Sequence, residues 1–219
     1  MDSGHSSLAR GLTVVVSATG LTMALRRLAR TWGATRGEAT QRLPGDDLVP
    51  AADVVATRAI SIAAPSSDVW PWLVQLGYGR GGFYSFDRLE QLAGLDIRSA
   101  DRVVPEWQHL SVGDHVDLAE GFGLTVGALE PDRHLVLVGR DARPGGTAPP
   151  FDFSWAFVLQ PGRSESGGTT RLVVRERYRP HGLAGRLMVE ATVPVSCLMS
   201  AAMLRGIRDR AQAASVQAT

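Results

Sequence analysis

The stretch GYGRGGFYSFDRLE, Gly77 to Glu90, sets Gly77, Gly79 and Gly82 in G-x-G-x-x-G spacing. Between a strand and a helix, that spacing lets backbone N–H groups at a helix N-terminus face a pyrophosphate. The residues before the glycines read as a helix instead. Pro65, Ser66, Ser67 and Asp68 suit a first turn, whose N–H groups lack partners within the helix. Val69, Trp72, Leu73 and Leu76 then recur at i, i+3, i+4 and i+7. Pro71 falls early enough for its missing N–H to cost little. Gly77 is therefore expected to end this helix in the left-handed C′ conformation. A dinucleotide unit also needs an acidic residue about twenty positions on. Asp96 and Asp101 lie near that distance, but no parallel-strand pattern separates them from the glycines. The glycines are read as a helix end followed by a tight connection, and no cofactor is expected.

The same stretch carries Arg80, Tyr84, Asp87 and Glu90. Tyr84, Asp87 and Glu90 follow at three-residue steps, each within one helical turn of the next, so a phenol and a carboxylate can share a hydrogen bond there. At a pocket mouth such a pair would serve general acid–base chemistry, for example the enolisation that precedes an aldol cyclisation. The structural alternative is an Arg80–Asp87 or Arg88–Glu90 network that fixes the loop. Ser85 lies outside any G-x-S-x-G elbow, so no hydrolase-type nucleophile is read.

Composition narrows the classes further. The 219 residues are 44% hydrophobic, enough for an ordinary globular core. A net charge of +1 gives no field for nucleic acid, which is excluded as a partner. Cys197 is the only cysteine, which rules out an intrachain disulfide and a thiolate cluster and points to a reducing, cytoplasmic setting. His5, His109, His115, His134 and His181 offer no i, i+4 ligand pair, so no metal is expected.

The elements that must position these residues follow from punctuation and period. Gly11 to Leu25 is an uncharged apolar run between Arg10 and Arg26-Arg27. Its fifteen or so residues fall short of the roughly 17–25 a spanning helix needs. It reads as an interfacial or docking helix with peripheral membrane contact. Arg26 to Pro50 is broken by Gly33, Gly37, Pro44-Gly45 and Pro50, an extended arm. Residues 1–51 thus form an apolar segment and arm, and residues 52–219 the compact domain. Val54 to Ile62 is a strand, and Phe83 to Ala93 a second short helix stopped by Gly94. Strand-like runs follow at His115–Leu118, Leu124–Leu129, Leu135–Arg140, Phe151–Gln160 and Thr170–Arg179, an antiparallel meander. Val195, Leu198–Met199, Ala202–Met203 and Gly206–Ile207 repeat at helical spacing in a long C-terminal helix, which Pro194 starts or kinks.

One helix is available to cover one face of a curved sheet, with two short helices closing an end. This α+β order resembles the helix-grip fold of the START/Bet v 1-like superfamily, also called SRPBCC or polyketide cyclase-like. Ala59 to Pro65 followed by Val69 to Gln75 resembles that superfamily's first strand and helix. Trp32-Gly33-Ala34-Thr35, Leu43 to Asp47, Gly79 to Ser85, Pro105 to Gln108 and Met203 to Ile207 resemble a bacterial subgroup of it.

The resemblance implies an apolar cavity between sheet and long helix that takes lipids, polyketides or other flat hydrophobic molecules. Alternation on Phe151–Gln160 puts Phe151, Phe153, Trp155, Phe157 and Leu159 on one face, expected to point inward. Met199 and Met203 would add an adaptable wall. On the last strand Leu172, Val174, Glu176 and Tyr178 share one face, and Arg171, Arg175 and Arg177 the other. The apolar members favour the first face as the inner one, which brings Glu176 to the cavity and leaves the arginines as a solvated outer face; in the opposite arrangement Arg175 and Arg177 could hold an anionic ligand. The expected ligand-binding set is Phe153, Trp155, Phe157, Tyr178, Met199 and Met203, for a hydrophobic small molecule. The alternative is a cyclase or dehydratase of polyketide-like substrates, using Tyr84, Asp87 and Glu176.

Overall fold

The computed structural model describes residues 26–85, 99–139, 149–162 and 168–217. Its frame is one antiparallel sheet of six strands: β1 (Val54–Ile62), β2 (His115–Ala119), β3 (Phe122–Glu130), β4 (His134–Gly139), β5 (Phe151–Pro161) and β6 (Thr170–Pro180), ordered β1-β6-β5-β4-β3-β2. Every strand read from the sequence is present. The consecutive strands β2 to β6 pair as a meander, and β1 closes the far edge by pairing with β6, Val54 opposite Tyr178 and Ile62 opposite Thr170.

Besides a helical segment at residues 26–31, where an extended arm was expected, three α-helices accompany the sheet among the described residues. In α1 (Arg36–Thr40), the Thr35 side chain accepts from the Glu38 N–H while the Glu38 carboxylate accepts from the Thr35 N–H, a reciprocal cap. The second, α2 (Ser66–Val74), buries Val69, Trp72, Leu73 and Val74 and carries Pro71 inside it. Pro71 lies beyond the first turn, so its missing N–H does remove an intrahelical bond; its carbonyl accepts from Gln108 Nε2 at 3.3 Å. The third, α3 (Gly182–Gln217), runs 36 residues with Pro194 in its interior, so the long helix begins well before the proline expected to start or kink it.

The core lies between the concave face of the sheet, α2 and α3, and contains Ile62, Trp72, Leu73, Leu124, Leu135, Leu137, Phe157, Leu172, Val174, Met203, Leu204 and Ile207. The apolar series read on the C-terminal helix divides. Met203 and Ile207 are buried, but Val195 and Leu198 are each 58% exposed. The inward stripe of the first half is Val189, Val193 and Ser200 instead. With apolar residues on both sides of the helix, period alone could not select the buried one.

The outer face of the sheet carries a second core of Leu43, Ala59, Val136, Ala156, Val158 and Val173. Leu43 and Val49, from the chain ahead of β1, are both buried. This corrects the expectation of solvated arginines. Arg175 keeps only 3% of its side chain exposed, with Nη1 at 2.8 Å from Asp46 Oδ2. It also donates to the carbonyls of Glu38, Ala39 and Gln41. Arg177 donates to Val49, Pro50 and Asp46. Arg171 grips Glu38 through Nε at 2.6 Å and Nη2 at 2.9 Å.

Candidate functional site

The glycine-rich turn has no free N–H array to offer a phosphate. α2 ends at Val74 with Gln75 as its cap, so Gly77 stands one position beyond the expected C′, at φ +134°. Gly77 and Gly82 exchange N–H···O bonds of 3.1 Å in both directions, closing the turn. The N–H groups of Tyr78, Arg80 and Gly81 go to the carbonyls of Asp117, Gly77 and Gln75. Arg80 completes the closure by donating to Val74 O and Trp107 O at 3.1 and 2.8 Å.

Beyond the turn, Phe83, Tyr84 and Ser85 are not helical, and Tyr84 sits at φ +54°. This corrects the expected start of a helix at Phe83; Asp87, Arg88 and Glu90 lie outside the described residues. The Tyr84 hydroxyl is buried under α2, accepting from Gln75 Nε2 at 2.9 Å and donating to Trp72 O at 3.2 Å. Burial pushes its phenol up to about 12. Tyr84 does not line the cavity described next, although Phe83 and Ser85 do.

That cavity, of about 280 Å³, opens between the concave sheet face and the first half of α3. β5 supplies Phe151, Phe153 and Trp155, β6 supplies Glu176 and Tyr178, and α3 supplies Thr192, Val195, Ser196, Met199, Ser200 and Met203. The alternation read on β5 explains the first set, since residues two apart share a face. Phe153 packs against Tyr178 in a tilted pair at 4.7 Å between ring centroids, and Trp155 against Phe157 at the same spacing. Phe157 itself is fully buried behind Trp155 and belongs to the core rather than to the lining. Five of the six expected binding residues, Phe153, Trp155, Tyr178, Met199 and Met203, thus meet at one cavity.

The polar part of its wall was only half foreseen. Glu176 is on the inner face, as expected, and its partner is Arg58 of β1, with Arg58 Nη1 at 2.7 Å from Glu176 Oε1. Ser196 and Ser200 of α3 also donate to Oε1, while the Tyr178 hydroxyl donates to Oε2 at 3.0 Å. The remaining donors of Arg58 reach Ala29 O and Val193 O. Burial and the adjacent Glu176 charge hold the Tyr178 phenol well above its usual range, so it stays a neutral donor. Sequence reasoning missed Arg58, yet a signal was there. Val54, Ala56, Arg58, Ile60 and Ile62 share one face of β1, and a charge in that apolar phase demands a buried counter-charge, which Glu176 supplies from the apolar phase of β6.

No protein-family model and no curated protein matches the chain. Among solved structures it is similar to a norcoclaurine synthase point mutant of Thalictrum flavum in complex with a transition-state analogue, at 13% identity over 74% of this chain and 96% of that one, TM-score 0.45. Protein MLL2253 of Mesorhizobium loti aligns at 15% identity over 72% of this chain and 96% of that one, TM-score 0.39. DynU16, a protein of the dynemicin biosynthetic locus, aligns at 16% identity over 70% of this chain and 46% of that one, TM-score 0.37. On its own strand order, with a meander closed by the first strand and one long helix across the concave face, the chain has an α+β helix-grip fold.

Proposed function

We propose that the protein binds a hydrophobic small molecule, lipid or polyketide-like, between its sheet and α3. The observation that carries this reading is the convergence of Phe153, Trp155, Tyr178, Met199 and Met203 on one cavity. Its volume is near the lower end for small-molecule sites, and a few polar groups on an aromatic wall are what such sites use to orient a ligand. Methionines on the helical side let the wall adapt to ligand shape. The test is titration with an environment-sensitive hydrophobic probe, together with mass spectrometry of organic extracts of the purified protein. Saturable probe binding that a co-purified, chemically unchanged lipid displaces supports the reading; an unsaturable probe signal and empty extracts refute it.

One observation favours a second reading, cyclase or dehydratase chemistry on a polyketide-like substrate. Glu176 and Tyr178 stand together on the cavity wall, a carboxylate beside a neutral phenol. Three donors occupy Oε1 and one occupies Oε2, so a general base would have to work through the remaining Oε2 lone pair. Glu176→Gln and Tyr178→Phe, assayed for product formation on candidate polyketide substrates, decide between the two.

A further inference from the structure

The first half of α3 shows solvent an apolar face. Leu183, Leu187, Met188, Val195, Leu198 and Met199 are 38% to 74% exposed. Arg186 is the single charged residue among those exposed from Gly182 to Met199. The stripe is roughly 24 Å long at the rise of an α-helix. The opposite side of the same helix is core, through Val189, Val193, Met203 and Leu204, so α3 cannot be a free spanning helix although its length and composition would allow one. The stripe is continuous with the cavity. Val195 and Met199 belong to both, and Phe122, 45% exposed, faces the cavity from β3.

The charges beside the stripe are in basic excess, four arginines against one carboxylate. Arg26 and Arg27 are exposed where the chain runs along α3, and Arg186 is exposed on the helix itself. The neighbouring carboxylate, Glu190, is already paired with Arg26 at 3.7 Å and Arg30 at 3.2 Å. An apolar helix face flanked by arginines complements a bilayer surface, where side chains enter the acyl boundary and cations meet anionic headgroups.

We infer that this face of α3 docks on an anionic lipid bilayer, with the cavity mouth between Val195, Met199 and Phe122 opening into the lipid. The second clause rests on the ligand-binding reading: the hydrophobic ligand enters and leaves through the membrane-facing mouth without crossing water. The docking itself depends only on the surface.

The test is flotation of the full chain with vesicles of phosphatidylcholine alone and of phosphatidylcholine containing about one third phosphatidylserine. The parent is expected to float with the second and weakly with the first. The double variant Leu187→Glu/Leu198→Glu, whose side chains are 63% and 58% exposed, should keep the parental melting temperature and probe binding. It should lose vesicle binding by at least about tenfold, because two leucines no longer enter the acyl region. Arg186→Glu should weaken binding to the anionic vesicles by about fivefold or more. Three results overturn the inference. The parent floats with neither vesicle. The double variant floats like the parent, which assigns the contact to residues 11–25. Or light scattering finds a parental dimer that the double variant splits, which makes this face a contact between copies. Failure of probe binding with vesicle binding intact would remove the ligand reading and leave the docking standing.

Discussion

Arg58 Nη1 and Glu176 Oε1 meet at 2.7 Å in the interior, with side-chain exposures of 0% and 2%. They come from adjacent strands that are distant in sequence, and α3 seals them with two serine hydroxyls. Breaking such a pair leaves an uncompensated buried charge, at a cost of about 3–5 kcal/mol. Arg58→Met and Glu176→Leu should each lower unfolding stability by that order in chemical denaturation. The double variant should recover much of the loss, since two apolar side chains of similar volume leave no orphan charge. A double variant as unstable as the sum of the singles would show that the surrounding hydroxyls, rather than the pair, carry the effect.

Gly77→Ala should destabilise the protein by about 1 kcal/mol or more, since a Cβ is penalised at positive φ. The new atom would also stand 3.0 Å from Val116 Cγ1 and 3.2 Å from Asp117 O. Thermal unfolding measures the loss. Because the N–H groups of residues 77, 78 and 80–82 are spent on protein carbonyls, NAD and ATP should shift the melting temperature of neither protein.

Trp155→Phe keeps most of the ring volume and should weaken the hydrophobic probe while the protein stays folded. Met203→Ala should weaken it too, at a stability cost of about 2–5 kcal/mol because Met203 is only 2% exposed. Affinities are to be compared under conditions where circular dichroism shows all proteins folded. Undiminished probe binding by both variants would reassign these side chains to the core.

Glu38 should make the protein acid-sensitive. Its hydrogen bonds from Arg171 hold the carboxyl down to about 2, below the ordinary glutamate value. A carboxyl depressed in the folded state stabilises fully above its unfolded value and progressively less as pH falls towards its folded one. Stability should therefore drop between about pH 4.5 and 2, by on the order of 2 kcal/mol from this group. In Glu38→Gln that part of the pH dependence should disappear from denaturant midpoints measured across the same range.

The sequence by itself determined the strands, because alternation at period two and Gly or Pro punctuation are local properties of each run. It also determined which side of β5 and β6 is inner, since Phe153, Trp155, Leu172 and Val174 leave little choice under strict alternation. What it could not decide were the matters set by segments far apart in the chain. Arg171, Arg175 and Arg177 read as solvated, and only the fold brought Glu38, Asp46 and the carbonyls of residues 38–50 over them. Arg58 became the partner of Glu176 only when β1 paired with β6. On α3, apolar residues occur around the helix, so a 3.6-residue period is satisfied by more than one face. The sheet buried the face of Val189 and Val193 and left Leu187 and Leu198 outside. A periodic pattern names the faces of an element, but burial belongs to whichever face meets another apolar surface, and that is decided by tertiary packing.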